Sequence, residues 1–214
     1  MKVDLVDNKG NNTLVQVMKD EIRKGSKIAV ASAKFSMNVY QELKKSLAKG
    51  ESFRFLFTEP TFYEQEIDDN HQFKLVERKG QQLQLEGNQY EIPLRNQMQA
   101  KQIARELSQW IHQHAEFKTI LGEVTYPKQM IIKNKTDEDV FIQSEIEFTA
   151  DGLGVTPSNR QASYTVMKET MGVTQNMLAE FDRLWQDETK SKEITAEVLQ
   201  QLDAFQKENT PEWL

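Results

Sequence analysis

Tyr126-Pro127-Lys128 and Ser144-Glu145-Ile146-Glu147 are the two short stretches whose residue types could act together. The first offers a phenol and an ammonium two residues apart. The second offers a hydroxyl and two carboxylates, with Thr149 two residues further on. A lysine can hold a phosphate oxygen, and an ionised tyrosine can attack phosphorus. A phenol of ordinary pKa, about 10, is almost wholly protonated at neutral pH, so Tyr126 would need a strong activator. Glu145 and Glu147 stand two apart and share a face if their segment is extended. Facing a phosphate they repel it unless a cation intervenes. With Asp137 or Asp139 they could hold Mg²⁺ for phosphodiester hydrolysis. The plainer reading is preferred, and no metal site is expected. Asp137-Glu-Asp139 is then a polar turn, and Glu145 and Glu147 form ion pairs with Lys128 or Lys133.

The other chemistry-bearing residues read as structural. His112 and His114 close a helix, where a protonated imidazole suits the helix dipole. His71 falls in a polar stretch. Asp151-Gly-Leu-Gly154 lacks the lysine and hydroxyl of a nucleotide-binding loop. Lys44-Lys45 and Lys190 to Lys192 are solvated charges. Lys34, Arg54 and Lys128 are the candidates for nucleic-acid contact, since all three can sit at strand ends, where α/β sheets bind ligands.

The segment Thr125-Tyr-Pro-Lys-Gln-Met-Ile-Ile132, followed by Val140-Phe-Ile-Gln-Ser-Glu-Ile-Glu-Phe-Thr-Ala-Asp-Gly-Leu-Gly154, resembles the phospholipase-D-like pattern. That pattern is H-x-K on one strand, then G-S-x-N, often followed by F-T-x-x-G-L. Ala29–Ser36, Glu106–Ile111 with Phe117–Ile120, and Glu180–Trp185 resemble the flanking elements. Members of that family attack phosphorus with the histidine and hold its oxygens with the lysine and asparagine, usually from two motifs at one site. The resemblance therefore implies a degenerate phosphate site of Tyr126, Lys128, Ser144, Glu145, Glu147 and Thr149, with no catalytic residue. Tyr126 stands in for the nucleophile, Glu147 for the asparagine, and Lys133 for a downstream aspartate. Thr210-Pro-Glu-Trp-Leu214 resembles the linker into a Swi/Snf-type superfamily 2 helicase core of some bacterial proteins. The implied role is a non-catalytic accessory domain of a DNA helicase, contacting nucleic acid or mediating assembly. The alternatives are an active nuclease using Tyr126 and Lys128 or a carboxylate-bound metal, and a plain dimerisation module. A fused or docked helicase core and a homodimer are the implied protein partners. No cofactor is expected in this segment; ATP and Mg²⁺ enter only with a following helicase core.

The elements that must position these residues are legible in the apolar pattern. Asn12 or Thr13 caps a helix that buries Leu14, Val15, Met18 and Ile22 and stops at Gly25. Lys27–Ser32 is an apolar run suited to a strand buried on both faces. Ser36 caps a second helix, burying Val39, Tyr40, Leu43 and Leu47, and Phe53–Phe57 is the next strand. Strand, helix and strand with short connections imply a parallel pair. Residues 59–94 read as a Gln-rich insertion or rim hairpin, with short pieces at Phe73–Val76, Leu83–Leu85 and Tyr90–Ile92. A helix over 96–114 and strands at Phe117–Leu121, Met130–Ile132, Val140–Ile142 and Ser163–Met167 follow. Helices at 174–187 and 195–207 close the chain and are expected to pack on one side.

The expected fold is therefore α/β, a mixed and mostly parallel sheet with helices on both faces. It forms one domain over 1–208, with 209–214 starting a linker. The 214 residues suffice for one sizeable core. The absence of cysteine excludes disulfides, thiolate metal sites and cysteine nucleophiles. A net charge of −6 argues against a freestanding tight DNA binder, although a local basic patch remains compatible with it. No apolar run reaches the roughly 20 residues that span a bilayer, so no membrane partner is expected. Without an apolar leader at the N-terminus, a cytoplasmic location is expected.

Overall fold

The run Lys27–Ser32 (β2) cannot be oriented by alternation, because Ile28 to Ser32 are all buried. Ile28 and Val30 face one layer of helices, while Ala29 and Ala31 face the other. Such a strand belongs at the centre of a sheet covered on both sides. In the computed structural model, which describes residues 2–10, 12–61, 63–67, 73–77, 94–143, 145, 147–169 and 172–207, β2 is central. Ser52–Phe57 (β3) and Ala115–Ile120 (β6) run parallel beside it. Gln129–Lys133 (β7), Asp139–Gln143 (β8), Ser163–Glu169 (β9) and Lys2–Asp7 (β1) extend the other side. Ser191–Glu193 (β10) closes the far edge, giving the order β1-β9-β8-β7-β2-β3-β6-β10. Tyr63–Ile67 (β4) and Phe73–Glu77 (β5) form a separate antiparallel pair.

The sheet is mixed, but parallel pairing is confined to β2–β3–β6; its other pairs are antiparallel. This corrects the expected parallel majority. A parallel neighbour needs a crossover of about a dozen residues or more, usually a helix. Between β7 and β8 there is only the turn 134–138, and among the described residues no helix lies between β8 and β9.

Leu14–Glu21 (α1), Met37–Leu47 (α2), Leu94–His114 (α3) and Thr195–Lys207 (α5) cover one face. Among the described residues Val173–Gln186 (α4) is the one helix over the other face, covering Ala29, Ala31, Leu56, Ile131 and Phe141. The two closing helices thus divide between the faces and do not share a side. The reason is β10: it pairs antiparallel with β6 at the sheet edge, and the chain changes layers as it passes round. The sequence reading misses β4 of the separate pair and two strands of the main sheet, β1 and β10, which are its two edges. β1 alternates polar and apolar residues only from Lys2 to Leu5, before Val6 breaks the pattern, and β10 is three polar residues long.

Capping follows the expected residues in part. Ser36 accepts the Asn38 N–H at 3.2 Å, whereas Thr13 sits at the cap of α1 without a side-chain bond. The Val15 N–H of α1 is satisfied by the Leu153 carbonyl, 3.0 Å away. The pieces at Leu83–Leu85 and Tyr90–Ile92, and the proposed linker at 209–214, lie outside the described residues. No helix among the described residues is long and apolar enough to cross a membrane.

Candidate functional site

The C-terminal end of β2 gathers the site. Ser32 and Phe148 are buried there, and Phe35 and Phe148 form a β-bridge beside them. Ser32 Oγ accepts the Phe148 N–H at 2.9 Å, and Ser36 N–H donates to the Phe148 carbonyl at 3.1 Å. Phe148 stacks on Phe35 with centroids 5.5 Å apart. These contacts fix the chain leaving β8 against the end of β2.

Glu147 is the residue so delivered. Its Oε2 accepts from Ser32 Oγ at 3.1 Å and from the Ala33 N–H at 3.2 Å. Its Oε1 pairs with Lys128 Nζ. Lys128 precedes β7, the antiparallel neighbour of β2, which is why two residues 19 apart in sequence meet. Both side chains are mostly covered, 22% exposed for Lys128 and 24% for Glu147. A hydroxyl, a backbone N–H and an ammonium therefore converge on one carboxylate. Donors of this kind would hold an oxyanion, but here the chain's own Glu147 takes them.

Tyr126 points away from that cradle. Its hydroxyl accepts from Gln129 Nε2 at 2.6 Å. Its ring packs among the residues under α4, edge-on to Phe181 at 6.3 Å. Burial, with the Glu180 carboxylate adding to it, pushes the phenol up to about 12. At pH 7 about one Tyr126 in 10⁵ is then ionised.

A cleft of about 370 Å³ opens beside these residues, walled by Thr58, Glu59, Thr125 and Glu145 around Tyr126 and Lys128. Two of its walls carry carboxylates, and its lysine is already neutralised by Glu147. The sequence missed Ser32 and Ala33 as donors and Thr58 and Glu59 as walls. Their position at the carboxyl ends of the parallel strands β2 and β3 was the available signal.

The remaining candidates are dispersed. Ser144 lies outside the described residues. Thr149 is buried and does not reach the cleft: its hydroxyl bonds Asp151 Oδ1 at 2.7 Å and organises the following turn. In that turn Leu153 is buried. Gly154 has φ +78°, and a Cβ there would meet Thr13 at 2.7 Å. Asp151-Gly-Leu-Gly154 is thus a packing turn against α1. Lys34 is half-buried between β2 and α2 and already has an interaction partner. Arg54 does not share the cleft. It pairs with Asp182 at 2.7 Å and lies over the Phe181 and Trp185 rings, at 5.0 and 5.6 Å. The pleat decides this: Phe53, Phe55 and Phe57 take the opposite face of β3.

The acidic turn is separated from the site. Asp139 pairs with Lys133 at 2.6 Å and accepts the Asn134 N–H at 3.0 Å; Asp137 pairs with Arg23 at 3.6 Å. Asp139–Gln143, about 13 Å of strand, stands between that turn and the segment carrying Glu145 and Glu147. Among the described residues no three His, Cys, Asp or Glu side chains are disposed to hold a metal ion. His112 and His114 end α3, and His71 lies outside the described residues. Lys44 pairs with Glu106, and Lys190 with Asp187.

No family model matches the sequence, and no curated protein matches it. Among solved structures the chain is similar to phosphatidylserine synthase from Haemophilus influenzae Rd KW20. The identity is 10% over 95% of this chain and 45% of that one, with a TM-score of 0.49. It is also similar to the yeast tyrosyl-DNA phosphodiesterase, at 12% identity over 94% of this chain and 41% of that one, with a TM-score of 0.42. The chain spans less than half the length of either.

Proposed function

We propose that this chain is a non-catalytic α/β domain of the phospholipase-D type, serving as an accessory domain of a nucleic-acid-remodelling helicase. The observation that carries the non-catalytic part is the closed cradle at Glu147. The lysine that would meet phosphate is paired to the residue at the asparagine position, and that residue also takes the donors at the end of β2. The residue at the nucleophile position is a protonated phenol turned under α4. The helicase association rests on the tail Thr210-Pro-Glu-Trp-Leu214 alone.

Hydrolysis of bis(p-nitrophenyl) phosphate and of single- and double-stranded DNA tests the first part, with and without Mg²⁺. No turnover above buffer is expected. Turnover abolished by Tyr126→Phe, or Mg²⁺-dependent turnover abolished by Glu147→Ala, would establish the nuclease reading instead. A gel shift at rising salt tests contact with nucleic acid, which must weaken as counterions compete. No shift at low salt would leave an assembly role and remove the nucleic-acid one.

A further inference from the structure

β1 is the first strand of the sheet, with β9 on one side and no strand on the other among the described residues. An open strand edge presents unpaired N–H and C=O groups and templates another strand. Folded proteins commonly blunt such edges with prolines, bulges or charged side chains; the charges of Lys2 and Asp4 on β1 neutralise each other at 3.0 Å. Lys2-Val-Asp-Leu-Val6 contains no proline, and its pairing with β9 runs without a bulge from Lys2 to Asp7. One face of β1 presents Val3, 53% exposed, and Leu5, 74% exposed. α4, the helix on that face, lies over β7, β8 and β10.

We infer that β1 pairs antiparallel with β1 of a second copy, across a two-fold axis normal to the sheet, making one continuous sheet. Opposed residues of an antiparallel pair share a face, so the axis must pass through a residue position. An axis at Lys2 opposes two lysines, and one at Asp4 opposes two aspartates; both are repulsive. An axis at Leu5 brings the second strand to Asp7. Its outer side is already occupied, since Asp7 bridges Thr13 and its N–H donates to the Asn12 carbonyl. An axis at Val3 satisfies every constraint. It sets Val3 against Val3 and places each Lys2 opposite Asp4 of the other copy. The Lys2–Asp4 ion pair within one chain, 3.0 Å long, then becomes an alternating array of four charges. The pairing leaves Asp7 outside the interface, and Leu5 extends the apolar row at both ends.

This dimer is independent of the site reading. β7 is three strands from the interface, so the two sites stand about 34 Å apart at the usual strand spacing. The pairing therefore cannot merge two half-sites.

Sedimentation equilibrium of the full chain over a wide concentration range tests it. The expected mass is twice the 24.9 kDa chain at high concentration. Asp4→Lys should halve it, with the circular dichroism spectrum unchanged. The reciprocal double variant Lys2→Asp with Asp4→Lys should restore the dimer. A chain monomeric at all concentrations, a dimer indifferent to Asp4→Lys, or a double variant that stays monomeric overturns the inference.

Discussion

A carboxylate with three donors around it is both a structural tie and a block, and Glu147 is the residue where these coincide. Lys128 alone could have met phosphate, but an ammonium already paired and three-quarters covered offers little charge to an incoming anion. Tyr126 shows the complementary failure. Activation of a phenol requires a neighbouring cation or base, yet burial dominates here and Glu180 adds negative charge. Its titration has a consequence for stability. Tyr126 is held at about 12 in the fold against the 10.0 of an ordinary tyrosine, and Tyr40 is likewise at about 12. The protonated phenols therefore stabilise the fold fully below pH 10, and this contribution is lost as pH rises through 12. Urea denaturation at stepped alkaline pH should show falling stability over that interval, with a shallower fall in Tyr126→Phe. An identical slope in the variant would remove the desolvation account.

At the scale of elements, the decisive joint is between the end of β2 and the chain leaving β8. Phe148 is fully buried and meets Phe35, Phe53 and Phe55 with centroids 5.5 to 6.2 Å apart. Its backbone is bonded at N–H and C=O, to Ser32 and Ser36. Phe148→Ala should cost about 3–5 kcal/mol, read from the chemical denaturation midpoint, because the aromatic cluster cannot collapse around the void. A loss below about 1 kcal/mol would mean that the cluster repacks. α4 is the other informative element. Gly172 at its cap supplies no side chain, so Glu169 on β9 reaches across and accepts the Thr174 N–H at 2.6 Å. That anchoring sets the helix whose Phe181 and Trp185 receive Tyr126 and Arg54.

At the scale of the molecule, the main sheet has unequal layers: among the described residues, four helices lie on one face and one on the other. The last helix belongs to the larger core. Val198 and Leu202 of α5 are buried, and Thr195 Oγ accepts the Phe117 N–H of β6 at 2.8 Å. A chain ending at Glu193 should therefore lose its cooperative unfolding transition by calorimetry, since β6, Leu107 and Trp110 would be laid open. Retention of the full transition would show α5 to be an accessory layer.

The sequence left Glu145 and Glu147 open to Lys128 or Lys133, and the fold pairs Glu147 with Lys128 and Lys133 with Asp139. Lys27–Ser32 and the stripes of α1, α2, α3 and α4 were readable from residue order, because each is set by local periodicity. β1 was not, since a short alternating strand becomes stable only when β9 arrives from more than 150 residues away. Arg54 was misplaced because a strand's pleat is visible in sequence but the face that meets α4 is not. The direction of Tyr126 was equally hidden, for Phe181 and Glu180 reach it only after α4 docks. The residue types at Tyr126, Lys128, Glu145 and Glu147 were thus determined by the sequence itself. That Glu147 pairs with Lys128 while Ser32 and Ala33 donate to it was decided only in three dimensions. Convergence of β2, β7 and the β8 exit creates the site, and no segment of the chain carries that geometry alone.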